Sequence, residues 1–501
     1  MKTKRFASLK NIACFNAIFI ALLLCGIAAK SSRAQNLKAV HFYVASEGND
    51  ENAGTSPQTA WKTLAKVSRT VFAPGDVISF KRGGIWKERL EIRSKGTAKN
   101  PIRFTSYGKG AKPVIDGDGV TVPEFQALVM LLGAGHTRLE NLEVRNSQRD
   151  GIGAYDWKTL TIADCLTHHN QFCGISVYQG ENITISGCEI RENSLDAGKT
   201  GAYAGLRLNG TIKGAQILKN EVHHNLGGPK GWADVANGIY LGQDNFPSLS
   251  GIVITGNKIH DNGNDAQNQA GRGINASMRG DLEIRDNTIL DQSASGVFVS
   301  VPKDGEASKV VVRHNLFLRN HLRAMGALGN LSVEFSNNVV YAANAKLPDH
   351  SYTGLAILDK TTRWNVRNNI FHLDSTNATW RGFIVIADDM GAQAEFDHNL
   401  YYTSGENKWM SRTEAGKTGI HAAENYPPLT RAQWLEKGYD AHSVFNKAPL
   451  FAAPDKEDFH LQKDSPAIDA GTDVKLVTDA EDKKVPQGAA PDIGLYEYIK
   501  K

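Results

Sequence analysis

A degenerate repeat of short apolar segments and corner asparagines begins near residue 125, and it restricts the possible folds more than any other feature. Residues 160–170 (LTIADCLTHHN) align with residues 183–193 (ITISGCEIREN), so these two units lie 23 residues apart. Later units each carry an asparagine ahead of an apolar segment, namely Asn220, Asn257, Asn287, Asn315, Asn338, Asn369 and Asn399. A second column contains Asn146, Asn170, Asn193, Asn225, Asn262 and Asn320, with Gln292 at the equivalent place. Such self-similarity indicates a solenoid.

The repeat predicts an all-β fold, a right-handed parallel β-helix with one short strand per face. Inward side chains would stack into apolar ladders, and corner asparagines would adopt left-handed backbone and bond neighbouring coils. A β-propeller is the alternative, but its blades would be longer and joined by antiparallel hairpins. Cys165 and Cys188 fall on equivalent positions, which predicts an inward thiol pair with a spacing that also permits a disulfide.

The repeat divides the chain into an N-terminal cap with first coils (35–124), a β-helix core (125–402) and C-terminal coils with a cap (403–501). Apolar residues recur at helical spacing between Trp61 and Val71, which predicts a short capping helix. A second short helix is expected between Leu429 and Gly438. Solenoid ends expose unpaired backbone, so the C-terminal segment is expected to cover one of them.

The first 34 residues are typical of a secretory signal peptide: basic residues precede an apolar run and a small-residue cleavage site. A membrane anchor is the alternative, although Lys30 and Arg33 end the apolar run early. Removal of this segment takes away six basic side chains and no acidic ones, which changes the net charge from +4 to −2. The mature chain is therefore expected to be secreted or periplasmic, free of the membrane and monomeric, with no general nucleic-acid surface.

Three glycine-led strands in the centre of the repeat predict a row of outward side chains. Leu206, Ile239 and Ile274 would point inward, so their neighbours Arg207, Tyr240 and Asn275 would point outward, about 4.8 Å apart. The connections that precede these strands are longer than elsewhere, which predicts a wall of loops beside the row and a cleft along the sheet.

The inserted loops and the strands before them supply further candidates for this cleft. Catalytic candidates are Arg207, Tyr240, Lys230 and His223, and substrate-binding candidates are Asn275, Arg272, Trp232, Tyr203 and His260. Each has a structural interpretation as well: outward arginines are usually solvated, rim aromatics usually pack, and a histidine column can be polar filler. The coincidence of the row with three adjacent insertions favours a site.

Both ends of the repeat resemble one family. The segments FYV, GNDENAGT and WKTL within residues 42–64, followed by Pro74-Gly75-Asp76, resemble the start of exported bacterial pectate-lyase-like β-helix proteins. The residues 465–471 (SPAIDAG) and 491–497 (PDIGLYE) resemble the terminal coil of the same proteins. The resemblance implies a parallel β-helix and an enzyme of the polysaccharide lyase type. Relatives of this kind also include glycoside hydrolases, uronate epimerases and proteins without known activity.

Three functions remain open for the predicted cleft. Elimination at a uronate requires neutralisation of its carboxylate, which a fixed arginine performs through two parallel hydrogen bonds, and Tyr240, Lys230 or His223 would move protons. Hydrolysis of a glycosidic bond requires two carboxylic acids, which only the loops and corners supply. A non-catalytic surface protein would bind glycan through aromatic side chains. The predicted substrate is an anionic polysaccharide, and Asp234 and Asp265 are oxygen ligands of the kind that calcium binds.

Overall fold

The computed structural model describes residues 38–133, 135–195, 203–227, 236–242, 246–263, 271–342, 353–358, 362–373, 382–386, 393–404, 409–411 and 428–500. The chain from Val40 to Lys501 forms one compact unit. No helix in these ranges is both long and apolar enough to cross a lipid bilayer.

Parallel strands stack coil upon coil on three faces, which confirms the predicted β-helix. The first face consists of Leu90–Ile92, Ala127–Leu132, the first halves of Asp150–Ala163, Ile175–Ser186 and Tyr203–Leu218, then Ala236–Gly242, Ile274–Ser277, Ser295–Ser300, Arg323–Leu328, Thr353–Ile357, Gly382–Ile386 and Trp409–Ser411. The second face consists of His41–Val44, Val77–Lys81, Ile102–Tyr107, Gly135–Glu140, the second halves of the three long strands, Leu249–Thr255, Leu282–Arg285, Ser308–Arg313, Leu331–Ser336, Arg363–Arg367 and Ala394–Asp397. The third face consists of Ile85–Trp86, Val114–Asp116, Glu143–Arg145, Leu166–His168, Glu189–Arg191, Glu221–His223, Lys258–His260, Thr288–Leu290, Leu316–Leu318, Val339–Tyr341, Ile370–His372, Leu400–Tyr402 and Val444–Phe445.

The core lies inside the coils and consists of ladders of aliphatic side chains. On the first face Ile152, Ile175, Leu206, Ile239 and Ile274 stand in register and are fully buried. Because strand residues alternate between the two sides of a sheet, the residue after each of these points away from the core.

The asparagine columns bind adjacent coils to each other, as the sequence predicts. The backbone N–H and the Nδ2 of Asn257 both donate to Oδ1 of Asn287, at 3.0 and 2.9 Å. Nδ2 of Asn257 also donates to the Ile217 carbonyl at 2.9 Å. The same pattern links Asn287 to Asn315 and continues to Asn399. Each buried amide is therefore satisfied by the coils on both sides of it, which is what burial of a polar group requires.

Two details of the predicted columns are wrong. The left-handed residue is the one before each column asparagine, for example His224 before Asn225 and Asp286 before Asn287. The column side chain must reach the next coil, so the preceding residue makes the turn. Asn146 is itself a turn residue with φ of 57°, and Ser147 is the residue whose N–H donates to Asn170 at 3.0 Å.

Cys165 and Cys188 are free, buried thiols, so the disulfide that their spacing allows is not formed. They lie in the same column as Asn220, on the two coils that precede it. The Cys188 N–H donates to Asn220 Oδ1 at 2.9 Å. Their sulfur atoms point at the Leu139 and Ile162 carbonyls, at 3.7 and 3.8 Å. The thiols thus fill the place that an asparagine amide fills in later coils.

Short helices occur where the sequence predicts them. Helix α1, Leu64–Arg69, starts at Thr63, whose side chain accepts the Lys66 N–H, and it buries Leu64 and Val67. Helix α2, Arg431–Glu436, buries Trp434 against Trp409, with ring centroids 5.5 Å apart. Single 3-10 turns lie at Pro57–Thr59 and Pro454–Lys456.

The C-terminal segment, defined here as residues 451–498, covers the outer side of the third face. It includes the antiparallel pair Phe451–Ala453 and Asp458–Leu461. Its buried residues Phe451, Phe459, Leu461, Ala467, Ile493 and Leu495 form one apolar cluster with Leu290, Leu316, Leu318, Val339, Ile370 and Leu400. Asn337 and Asn368 attach it further by donating to Gly494 and Thr472 carbonyls at 3.2 and 2.8 Å. The segment is a lateral cover, whereas α2 packs on the last coils.

Candidate functional site

The predicted outward row exists on the first face. Ser176, Arg207, Tyr240, Asn275 and Phe298 are direct neighbours on five consecutive coils. Tyr240 and Asn275 are only 4% and 2% exposed, so this part of the row is more enclosed than an open sheet surface would be. The row therefore places polar groups where much of the solvent is excluded.

Arg207 is the cation of the row, between Ser176 and Tyr240. Its Cζ lies 5.7 Å from the centroid of the Tyr240 ring, and the side chain is partly exposed. Its Nε is buried and has no hydrogen-bond partner among the described residues. A buried N–H of a charged group that makes no hydrogen bond costs free energy. An acceptor atom from a bound molecule would therefore be favourable beside this Nε.

Arg272 closes the other end of the row. Its Nη1 donates to Asn275 Oδ1 at 2.9 Å, and its Cζ lies 4.1 Å from the Phe298 ring centroid. The side chain therefore extends from the residue before the strand onto the outward row. Arg272 thereby fixes the amide of Asn275 beside Tyr240.

Asp150, a residue that the sequence analysis did not select, lies close to Arg207. Burial raises the pKa of its carboxyl to about 6, although the Cys173 N–H, which donates to it at 2.8 Å, and the charge of Arg207 both favour the ionised form. Burial and then the charge of Asp150 raise the pKa of Tyr155 to about 12. Titratable groups with shifted pKa values beside a partly unpaired cation are typical of functional sites.

Two tyrosines extend the site on the side of the earlier coils. Tyr155 and Tyr178 are paired in register, with ring centroids 5.5 Å apart, and Tyr178 is 40% exposed. Their separation of 23 residues equals the repeat, so a search for aromatic residues at that spacing would have found them. Asp150 directly precedes its strand glycine, as Arg272 does, but it follows a short connection rather than an inserted loop and was therefore not selected.

Comparisons with known proteins agree with this architecture. Residues 42–274 match the family described as "Pel9A-like, right handed beta helix region", and residues 233–371 match "Right handed beta helix region". The structure of pectate lyase Pel9A superposes with a TM-score of 0.54 at 15% identity, covering 93% of this chain and 98% of that one. The chain is a pectate-lyase-like right-handed parallel β-helix.

Two curated proteins are similar in sequence to this pectate-lyase-like β-helix. The uncharacterized protein YwoF of Bacillus subtilis (strain 168) is 25% identical over 495 residues, which cover 90% of this chain and 97% of YwoF. Lacto-N-biosidase of Bifidobacterium longum subsp. longum is 30% identical over 142 residues, which cover 23% of this chain and 9% of that protein.

The histidine candidates of this β-helix lie on the third face, away from the strands of the row. His223 and His260 stack on each other, with centroids 4.7 Å apart and planes 3° from parallel. Their nearest described partners, His224, Glu189, Glu221 and Asp261, belong to the same face or its corner. Burial, followed by the neighbouring His260 and His224, lowers the pKa of His223. A role for either histidine in the cleft stays a prediction.

Tyr203 packs at the start of its strand. Its ring stacks on Phe172 with centroids 4.2 Å apart, and it is 9% exposed. This contact occupies one face of the ring that was predicted to bind substrate. The other four candidates, Lys230, Trp232, Asp234 and Asp265, lie outside the described residues.

Proposed function

We propose that this β-helix is a carbohydrate-active enzyme, a polysaccharide lyase that cleaves an acidic polysaccharide by β-elimination at a uronate. The observation that carries the proposal is Arg207: a guanidinium in the outward row beside Tyr240, with a buried Nε that has no hydrogen-bond partner among the described residues. A planar guanidinium matches a carboxylate, because two N–H groups can donate to its two oxygens in parallel.

The proposed reaction uses this contact to make a weakly acidic proton removable. Arg207 pairs with the substrate carboxylate and stabilises the negative charge that moves onto it when a base takes the adjacent proton. The electron pair forms a carbon–carbon double bond and expels the glycosidic oxygen, which receives a proton. Tyr240 is proposed to transfer that proton, and Lys230 and His223 stay the other predicted acid–base candidates.

The surroundings of Arg207 support a sugar-binding role. The exposed ring of Tyr178 and the neighbouring Tyr155 offer flat apolar surface beside the cation, which suits the faces of sugar rings. Similarity to a structure named pectate lyase, and to part of a protein named lacto-N-biosidase, agrees with a carbohydrate substrate.

A glycoside hydrolase is the second candidate, because Asp150 has the raised pKa that a general acid needs. A retaining or inverting hydrolase needs a second carboxyl group as well. Of the carboxyl groups that the loops and corners offer, Asp196, Asp234 and Asp265 lie outside the described residues, and Asp261 lies at the corner of the third face beside His260.

The deciding experiment incubates purified protein with pectate, alginate and uncharged glycans, each with added calcium and with a chelator. A lyase gives products with the ultraviolet absorbance of an unsaturated uronate. New reducing ends without that absorbance would show that the protein is a hydrolase and not a lyase. Binding of the protein to the glycan without turnover would identify a binding protein. We further propose that the mature protein is monomeric and acts outside the cytoplasm, in the periplasm or the medium.

A further inference from the structure

Histidines and acidic residues form two adjacent columns along one corner of the third face. The last residue of successive strands is His168, Arg191, His223 and His260. The following residue on each coil is His169, Glu192, His224 and Asp261, and all four have φ between 51° and 55°. Because the same left-handed turn repeats, side chains from neighbouring coils are brought together at this corner.

His223, His224 and His260 converge within these columns. Nδ1 of His223 lies 2.8 Å from Nδ1 of His224. The His223 and His260 rings are parallel, and the His224 ring stands at 85° and 89° to them. One nitrogen from each ring lies within 4.8 Å of the other two.

Carboxylates lie beside two of the rings. Glu221 Oε1 lies 3.2 Å from Nε2 of His260, within hydrogen-bond distance, and Glu189 Oε1 lies 3.7 Å from Nε2 of His223. The Nδ1 atoms of His223 and His224, 2.8 Å apart, share one proton when no metal is bound, and a cation that binds both nitrogens would replace that proton.

We propose that His223, His224 and His260 bind a zinc ion. Imidazole nitrogen is a preferred zinc ligand, and three histidines leave one position of a tetrahedral ion for water or for the carboxylate of Asp261, whose Oδ2 lies 2.7 Å from His260 Nδ1. Zinc–nitrogen bonds of about 2.0 Å place tetrahedral ligand atoms about 3.3 Å apart, so modest ring rotations complete the site. Hard cations such as calcium prefer oxygen ligands and fit it poorly.

A similar cluster two coils away provides an internal control. Nδ1 of His168 lies 2.7 Å from Nδ1 of His169, and a carboxylate oxygen of Glu192 lies within 4.8 Å of a nitrogen of each ring. Arg191 is in register with both His168 and His223, so its charge does not distinguish the two clusters. The Arg191 guanidinium does, however, pair with Glu192, which is the third ligand of the His168 cluster only. The His168 cluster should therefore bind zinc weakly.

The test titrates the full chain, expressed without a histidine tag and stripped of metal, with Co²⁺ followed by competing Zn²⁺. We expect one equivalent of Co²⁺ with the absorption bands of a nitrogen-ligated tetrahedral ion, displaced by Zn²⁺. His224→Asn is the decisive variant, because His224 is exposed and asparagine tolerates its φ of 51°. Outer-shell partners alone change metal affinity by about 10- to 100-fold, so loss of this ligand should weaken binding at least about tenfold.

His169→Asn is the matched control, with the same substitution at the equivalent turn, and it should leave the affinity unchanged. The melting temperature of both variants without metal should equal that of the wild type, and His260→Gln should repeat the loss of binding. Absence of stoichiometric binding by the wild type, wild-type affinity in His224→Asn, or loss of binding in His169→Asn would each overturn the proposal. The readout is binding, so it does not depend on the lyase proposal.

Discussion

The outward residues of the first and third faces follow different rules. On the third face, the residue type matches its surroundings: Leu290 and Leu318 lie beneath the C-terminal segment, whereas His168 and His260, at the same strand position, pair with carboxylates. On the first face, Arg207 has an Nε without a described partner, and the row changes residue type at every coil. The described contacts account for the covered part of the third face and for the pairing of His168, whereas Nε of Arg207 has no described acceptor.

The difference between the two faces predicts that substitutions on them change different quantities, stability on the third face and turnover on the first. Changes on the covered part of the third face should lower stability and affect turnover only through unfolding. Changes in the first-face row should lower turnover and leave stability nearly constant. Each of the following experiments measures both quantities.

Removal of residues 465–501 should have the largest effect. The deletion removes residues that pack on the aliphatic side chains of Leu316, Val339 and Ile370. These side chains would then be exposed to water as a continuous patch. We expect aggregation and loss of the cooperative melting transition. A soluble truncated protein with the wild-type melting temperature would contradict the role of the cover.

A pair of point variants sharpens the same test. Ile493 is fully buried in the apolar cluster, whereas Ile499 is 45% exposed. Ile493→Asp buries a carboxylate without a partner and should cost about 4 kcal/mol of unfolding free energy. Ile499→Asp introduces the same charge six residues away and should change stability by less than about 0.5 kcal/mol.

The sequence predicted the elements that repeat. Asn257 and Asn287 recur in identical surroundings, so their spacing was enough to define the coils and the inward ladders. The lateral cover could not be predicted, because the contact between Ile493 and the third face joins residues far apart in the sequence with no shared period. The left-handed residue was misplaced by one position, since the sequence shows which residue recurs but not which one turns the chain.

The candidate site was predictable only in part. Arg207, Tyr240 and Asn275 were found because each follows an inward residue in a glycine-led strand. Asp150 was missed because its significance comes from burial beside Arg207, a property of three-dimensional packing.

Arg207→Lys should have the largest effect on the first face. Lysine keeps the charge but loses the planar pair of donors, so turnover of an anionic glycan should fall roughly 10²-fold, the scale for loss of one oxyanion-type donor. The melting temperature should hardly change, because the side chain is partly exposed and lies outside the core. Initial rates of unsaturated product formation measure the effect.

The control for Arg207→Lys is Arg313→Lys on the second face. Arg313 pairs with Glu283 at 2.7 Å on the outer surface, away from the row. This variant should retain wild-type turnover. Equal turnover by wild type and Arg207→Lys would show that the assigned site is wrong.

Tyr240→Phe removes the hydroxyl that is proposed to transfer the proton and leaves the ring beside Arg207. We expect a loss of turnover comparable to that of Arg207→Lys, within the 10²- to 10⁴-fold typical of general acid–base groups. Tyr178→Phe, on the more exposed neighbouring ring, should change turnover only slightly. A fully active Tyr240→Phe would assign the proton transfer to another residue.

Asp150→Asn tests stability rather than turnover, and the sign of its effect distinguishes a functional carboxyl group from a structural one. The folded-state pKa is raised to about 6 from 3.8, so the folded protein binds this proton more tightly than the unfolded chain. The wild type therefore loses stability as the pH rises from about 4 to about 6, and it stays less stable above that range.

In Asp150→Asn, the side-chain amide can still accept the Cys173 N–H but carries no charge to desolvate. Asp150→Asn should consequently be more stable than the wild type above pH 6, by up to about 3 kcal/mol, and equal to it below about pH 4. Melting curves across this range measure the difference, with Asp281→Asn on the exposed second face expected to follow the wild type at every pH. If Asp150→Asn is less stable at pH 7, the carboxylate serves the fold as the third-face residues do, and the contrast between the two faces does not extend to this position.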